Sequence, residues 1–377
     1  MPHDVNEKVV MIWLSLLGSP NYRIYRALLS EFGSGAGIYD AFARGVKPYS
    51  LLEFPKAAGR FADRELAETA FGFYRKAQES GMNILTYSDP DYPELLKHLP
   101  AACPLVLYYY GDKAALPGEE DIAVAIVGSR HCSNSGEANA RQYAFELAKQ
   151  GVIVVSGLAL GCDGAAHRGA LNAGGRTVAV LASGADVVYP KEHKKLYNDI
   201  IAKGGCVLSE SPPGCIPARQ LFPARNRIIA GLCQATLVVE AAHRSGALIT
   251  ADKALEADRI VFALPGDVRN PMAYGCNELI RQGAVCVTDI GVIYDELGIE
   301  PEGGKTHGGN NNGWLIGLPF PLSRVADAVL KGADNAEAVA ERTELDAGTV
   351  AGSLTMLEIR GIVRRSDYGA YSIANDR

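Results

Sequence analysis

The stretch Arg219-Gln220-Leu221-Phe222-Pro223-Ala224-Arg225-Asn226-Arg227 holds three arginines and an aromatic ring within nine residues. One arginine alone is usually a salt-bridge partner. Three interleaved with a ring suit single-stranded nucleic acid, because guanidinium groups neutralise phosphates while the ring stacks on a base. Phe222 has two readings here: a stacking platform, or a ring that packs its loop against a sheet. Upstream, Gly128-Ser129-Arg130 closes a short apolar run. Glycine there permits close backbone approach, serine offers a hydroxyl, and arginine can fork onto a phosphate. The run after it closes in Ser156-Gly157-Leu158-Ala159-Leu160-Gly161-Cys162-Asp163, whose glycines suit turning N–H groups toward an anion at a helix N-terminus. Asp163 reads as a helix cap. His167 reads as a general base or, more commonly, as a buried histidine bonded to a neighbour. Small and hydroxyl residues recur at a further turn, in Ser245, Gly246 and Thr250.

Other chemistries lack their residues. Arg130 and Ser133 stand where a dinucleotide fingerprint needs its later glycines. Gly304-Lys305-Thr306 imitates the end of a P-loop, but Ile299 occupies the place of its first glycine. No GxSxG nucleophile elbow occurs. Eight cysteines and seven histidines show no CxxC pair and no metal-ligand spacing, so no metal, cofactor or disulfide framework is expected. Free thiols fit a reducing cytoplasm. No apolar run approaches the ~20 residues of a membrane span, and the secretory pattern of basic start and apolar stretch is missing. The net charge is −6, so nucleic acid would have to meet a local basic surface. One exists: Gly128–Ala230 carries twelve Lys and Arg against seven Asp and Glu.

The elements that must position these residues follow from periodicity. Between Asp121 and Gly298, short apolar runs at Ile122–Val127, Val152–Val155, Thr177–Leu181, Val207–Ser209, Ala235–Val239, Ile260–Ala263 and Ala284–Val287 alternate with helical patterns such as Ser135–Lys149 and Leu248–Ala257. Runs this short without alternation read as strands buried on both faces, and strand–helix alternation reads as an α/β fold with a doubly wound, mostly parallel, extended Rossmann-like sheet. In such a sheet the carboxyl ends of the strands open onto the ligand crevice. Residues 1–82 read as a small helical bundle, resembling a sterile-alpha-motif or helix-hairpin-helix module, and 83–299 as the Rossmann-like domain. Residues 300–315 read as a Gly/Asn-rich linker. Residues 316–377, with three helices and a basic hairpin, read as a C-terminal winged helix, suited either to DNA or to protein contacts.

In order along the chain, GSR, SGLALGCD with AAH, TVAVLASGADVVYP, SESPPG, FPARNRIIAGL, VVEAAHRSGALITA and ALPGD resemble the DNA-processing protein A (DprA, or Smf) family of bacteria. The likeness runs from about Leu105 to Leu297. It implies a cytoplasmic, non-enzymatic protein of natural transformation that binds and protects incoming single-stranded DNA. It further implies help in loading RecA recombinase against single-strand-binding protein, and a homodimer formed through the Rossmann-like domain. Carried over residue by residue, Arg130, Arg219, Ser245, Gly246 and Thr250 contact DNA and Phe222 contacts a base. Gly128, Ser129, Ser156 and Gly157 shape the pocket; Arg225, Asn226 and Arg227 join the set as part of the same cluster. Two other classes are weighed. Lysine-decarboxylase-like phosphoribohydrolases share the sheet but need a PGGxGTxxE stretch, where this chain continues Pro265-Gly266-Asp267-Val268. A winged-helix transcriptional regulator would need a helix that reads duplex sequence.

Overall fold

The computed structural model describes residues 6–99, 103–301, 318–366 and 369–374. The chain divides into two compact units, Met1–Gly304 and Lys305–Arg377. The first is built on nine strands: β1 (Asn83–Thr86), β2 (Val106–Gly111), β3 (Ala123–Val127), β4 (Ile153–Ser156), β5 (Thr177–Val180), β6 (Cys206–Ser209), β7 (Ala235–Val238), β8 (Ile260–Ala263) and β9 (Val285–Cys286). Their order is β1-β2-β6-β5-β4-β3-β7-β8-β9. Strands β3 to β9 pair in parallel; β2 joins β6 antiparallel and β1 joins β2 antiparallel. The expected doubly wound, mostly parallel sheet is therefore present. The antiparallel pair β1–β2 lies outside the glycine-punctuated region in which the sequence predicts strands.

The N-terminal helices are α1 (Glu7–Leu16), α2 (Asn21–Phe32), α3 (Gly35–Ala43), α4 (Pro55–Phe61) and α5 (Arg64–Glu79). Then come α6 (Glu94–Lys97), α7 (Asn134–Lys149), α8 (Cys162–Asn172), α9 (Lys194–Ala202), α10 (Leu221–Gly231), α11 (Gly246–Glu256), α12 (Tyr274–Arg281) and α13 (Ile290–Leu297). Side chains alternate across a strand, and β3 shows how that builds two cores. Ala123, Ala125 and Val127 face Ile228 and Ile229 of α10 and Ala251 of α11. Val124 and Ile126 face Tyr143 and Leu147 of α7 and Ala166 of α8. With both faces covered, every position must be apolar, which is why the run AVAIV shows no polar alternation. Truncating Ile126 to Ala would cost about 2–5 kcal/mol.

The N-terminal helices do not stand apart. Trp13 of α1 packs against Tyr39, Phe42 and Phe61, and the same core continues into Ile84, Val106 and Tyr108 of β1 and β2. The bundle anticipated as residues 1–82 thus lies in one compact unit with the sheet.

Topology places the crevice. From β3 the chain winds outward through β4, β5 and β6, then returns to the other side of β3 for β7, β8 and β9. Connections leave in opposite directions at β3, so the carboxyl ends of β3, β4 and β7 border an open switch point.

In the second unit, α14 (Leu322–Leu330), α15 (Ala336–Thr343) and α16 (Ala347–Ile359) precede an antiparallel hairpin of β10 (Val363–Arg365) and β11 (Tyr371–Ile373). Asp346 caps α16, its carboxylate accepting from Thr349 N at 2.9 Å. The exposed face of α16 carries Ala351, Gly352, Met356 and Ile359, whereas Arg364 and Arg365 are exposed on the hairpin. Most of the expected linker, and Asp367 of the expected hairpin turn, lie outside the described residues.

Candidate nucleic-acid interface

A cleft of about 510 Å3 opens at the switch point. Gly128, Ser129 and Arg130 form one wall, Arg244 to Ala247 and Thr250 the other, and Phe222, Arg225, Asn226 and Ile229 of α10 the third. Those four α10 residues fall at i, i+3, i+4 and i+7, one face of a helix. A smaller apolar cavity of about 70 Å3 lies beside it, lined among others by Leu160, Ala182, Tyr189 and Pro217. Arg130, Phe222 and Arg225 border both. The exposed Arg130 guanidinium sits 4.8 Å from the centroid of the Phe222 ring, and Tyr189 meets that ring edge-on at 5.9 Å.

Ser245 caps α11, its Oγ accepting from Ala247 N at 3.3 Å, so the first turn of a helix faces the cleft. Its N–H groups and dipole favour an anion. Asn226 ties α10 to that turn, donating Nδ2 to Gly246 O at 3.4 Å. Thr250 lines the cleft although it is nearly buried.

The glycine loop after β4 does something other than expected. Gly157 N and Ala159 N donate to Asp163 Oδ2 at 3.1 and 3.4 Å. The anion that these amides face is the chain's own carboxylate, so they are not free for a ligand. Asp163 therefore closes the loop instead of capping α8, whose N-cap position is Gly161. Burial pushes the Asp163 carboxyl above the usual carboxylate range, against the pull of the Arg225 charge and the two N–H bonds. Arg225 Nη1 donates to Gly157 O at 2.8 Å and to Val180 O, and Nε donates to Asn226 Oδ1 at 3.2 Å. Burial draws its pKa down to about 10, with the Asp163 charge opposing and Arg130 adding to the fall. Gly157 is required here: a Cβ would sit 2.6 Å from the Arg225 guanidinium. Gly161 is required for another reason, a φ of +72° with the Ser129 carbonyl oxygen where a Cβ would go.

Ser156 is fully buried and donates its hydroxyl to Ile126 O at 2.6 Å; it supports the sheet beneath the cleft. Ser129 Oγ accepts from His131 N at 3.1 Å and shapes the turn. Arg227 points elsewhere. Its Nη2 lies 2.7 Å from both Glu210 carboxylate oxygens, and it borders neither cavity. The sequence suggests a loop carrying all three arginines, but α10 begins at Leu221. At about 100° per residue, Arg225 and Arg227 lie ~200° apart around it. Arg219, on the loop before α10, is exposed and borders neither cavity. His167 is buried with Nδ1 2.8 Å from Thr177 Oγ1, and burial lowers its pKa to about 3; it is a core residue. Arg244 stands apart from the arginine cluster of the sequence, directly before Ser245, and it also lines the cleft. Arg130, Arg219 and Arg244 form no ion pair among the described residues.

Residues 83–298, more than half of the chain, match the family model described as DNA recombination-mediator protein A. The chain belongs to this family. It is 43% identical over 237 residues to Protein Smf of Synechocystis sp., covering 61% of this chain and 58% of that relative. It is 40% identical over 264 residues to Protein Smf of Escherichia coli, covering 68% and 69%. With DNA processing protein DprA of Streptococcus pneumoniae it shares 46% over 185 residues, covering 49% and 64%. The alignments thus span between 58% and 69% of these curated relatives' length. Among solved structures, the S. pneumoniae DprA superimposes with a TM-score of 0.63 at 34% identity, covering 78% of this chain and 98% of that one. A DNA processing protein A from Helicobacter pylori, described for its single-stranded DNA binding mode, gives 0.51 at 30%, covering 57% and 95%. Gly128, Ser129, Arg130, Ser156, Gly157, Arg225, Asn226, Ser245, Gly246 and Thr250 all fall within the family-matched residues, as do Arg219, Phe222 and Arg227.

Proposed function

We propose that this recombination mediator binds single-stranded DNA in the switch-point cleft. One observation carries the reading: Arg130 and Arg244, both exposed and without an ionic partner among the described residues, flank Phe222 and the open first turn of α11. Phosphates meet the arginines and the helix turn, and a base meets the ring. Neither mode depends on base identity. The H. pylori relative's single-strand binding supports the same substrate. Asp163, in the cleft lining, and Glu240, outside it, both accept bonds from backbone N–H groups of the neighbouring loops, which favours a binding role over an acid–base one. In keeping with the family resemblance, the bound strand is protected and handed to RecA recombinase in place of single-strand-binding protein. The working form is a cytoplasmic homodimer, without cofactor, and the C-terminal unit is a winged helix. Among the described residues no helix is long and apolar enough to cross a membrane.

Fluorescence anisotropy with labelled single strands and matched duplexes, repeated across salt, tests the reading; a nucleotide-hydrolysis blank accompanies it. Single strands should bind far better than duplex, with little sequence preference and a steep salt dependence. Equal or better affinity for a defined duplex would overturn it.

A further inference from the structure

Glu240 lies just past β7, is 8% exposed and does not line the cleft. Yet both ends of the segment that carries Arg130 rest on it. At one end Ser129 N donates to the Glu240 main-chain oxygen at 2.8 Å. At the other, Ser133 N donates to Glu240 Oε2 at 2.8 Å, and the Ser133 hydroxyl donates to Oε1. Only Arg130, His131 and Cys132 lie between these two supports. Ser133 Oγ also accepts from Gly136 N at 3.0 Å as the N-cap of α7, so the carboxylate fixes that helix start as well. The space is fitted to it: a side chain at Gly136 would collide with the Glu240 carboxylate. In the other direction along the chain, Glu240 leads through Ala241, Ala242 and His243 to Arg244 and Ser245, the facing wall.

We infer that Glu240 is the positioning residue of the DNA cleft, setting where Arg130 stands relative to the Arg244–Ser245 wall. This rests on the cleft being the DNA site. A buried carboxylate beneath an anion-binding cleft works against affinity by its charge, since like charges repel in a low dielectric. Its geometric service must outweigh that repulsion. The two effects have opposite signs on binding, which makes them separable: if only the charge mattered, removing it would tighten DNA binding.

The test is a double-mutant cycle on the full chain, reading single-strand affinity across salt, with melting temperature as the fold control. Glu240→Ala should weaken binding about tenfold, the size of coupling seen between contacting groups. Its salt slope should fall by roughly 0.7, as for loss of the Arg130 phosphate contact itself. Glu240→Gln, which keeps an acceptor for Ser133 N–H, should recover binding to within about twofold of wild type. In an Arg130→Ala background, Glu240→Ala should add no further loss. Wild-type affinity for Glu240→Ala, or the same tenfold loss persisting without Arg130, would overturn the inference. If Arg130→Ala itself binds as wild type, the reading of the cleft fails and the inference with it. Should Glu240→Ala not fold, Ser133→Ala removes one support bond in the same cycle, and an unchanged affinity there would equally overturn it.

Discussion

Replacing Phe222 by alanine removes a ring that touches three things. The Arg130 guanidinium lies over it at 4.8 Å, Tyr189 meets its edge at 5.9 Å, and it borders both cavities. In the free protein these contacts have ordinary values: about 0.5–1 kcal/mol for a cation–π pair near the surface and about 0.5–1.5 kcal/mol for the aromatic pair. The ring is half-buried, so the expected stability loss is about 1–2 kcal/mol, below the ~3–5 kcal/mol of a fully buried Phe→Ala. Binding should lose more, because a stacked base contributes about 1–3 kcal/mol, roughly a 5- to 150-fold change in Kd. The salt slope should stay nearly constant, since no phosphate contact is removed.

Anisotropy titrations and thermal melts on the same preparation separate the two roles of Phe222. If the ring only packs α10 against its neighbours, melting falls by the larger amount and the folded fraction binds normally. A Phe222→Trp variant sharpens the contrast, because a larger π-face should preserve or improve stacking. Should Phe222→Ala, once corrected for folded fraction, bind within about twofold of wild type, the stacking role is refuted.

The arginines divide by where their guanidinium groups point. Arg219→Ala should leave stability within about 0.5 kcal/mol and reduce the salt slope by roughly 0.7, whereas Arg227→Ala, whose group is held by Glu210, should leave the slope unchanged; a slope change for Arg227→Ala would contradict its placement. Arg225→Met leaves the buried Gly157 and Val180 carbonyls without their donor and should cost about 1–3 kcal/mol of stability, measured by urea unfolding; a midpoint equal to wild type would refute that dependence. His167 is held neutral by burial, its folded pKa depressed to about 3 against ~6.5 when unfolded. Its contribution is therefore complete above about pH 6.5 and is lost as pH falls toward 3. Melting temperature should drop more steeply between about pH 6.5 and 4.5 in wild type than in His167→Gln, and parallel curves would show that another group governs the acid limb.

Strand positions were legible because a doubly covered sheet leaves no polar alternation, and runs such as AVAIV and IVVS are too short for buried helices. The crevice followed from strand order alone: GSR follows β3, SG closes β4, and HRSG comes after β7, the three strands that meet at the switch point. What remained hidden was orientation. Read as a string, Arg219 to Arg227 is one basic cluster, but once α10 begins at Leu221 the helical period sends Arg225 into the cleft wall, bonded to Gly157 O, and Arg227 to Glu210. Likewise the glycine turn after β4 looks open to an anion until Asp163, in the first turn of the next helix, is seen to fill it. Period and partner both depend on where a helix starts, and that boundary is the least determined feature of a sequence. Arg244 and Glu240 show the converse: neither belongs to a cluster of its own type, so composition hides them, and only the parallel pairing of β3 with β7 brings Arg244 to the same cleft as Arg130 and the Glu240 carboxylate to Ser133.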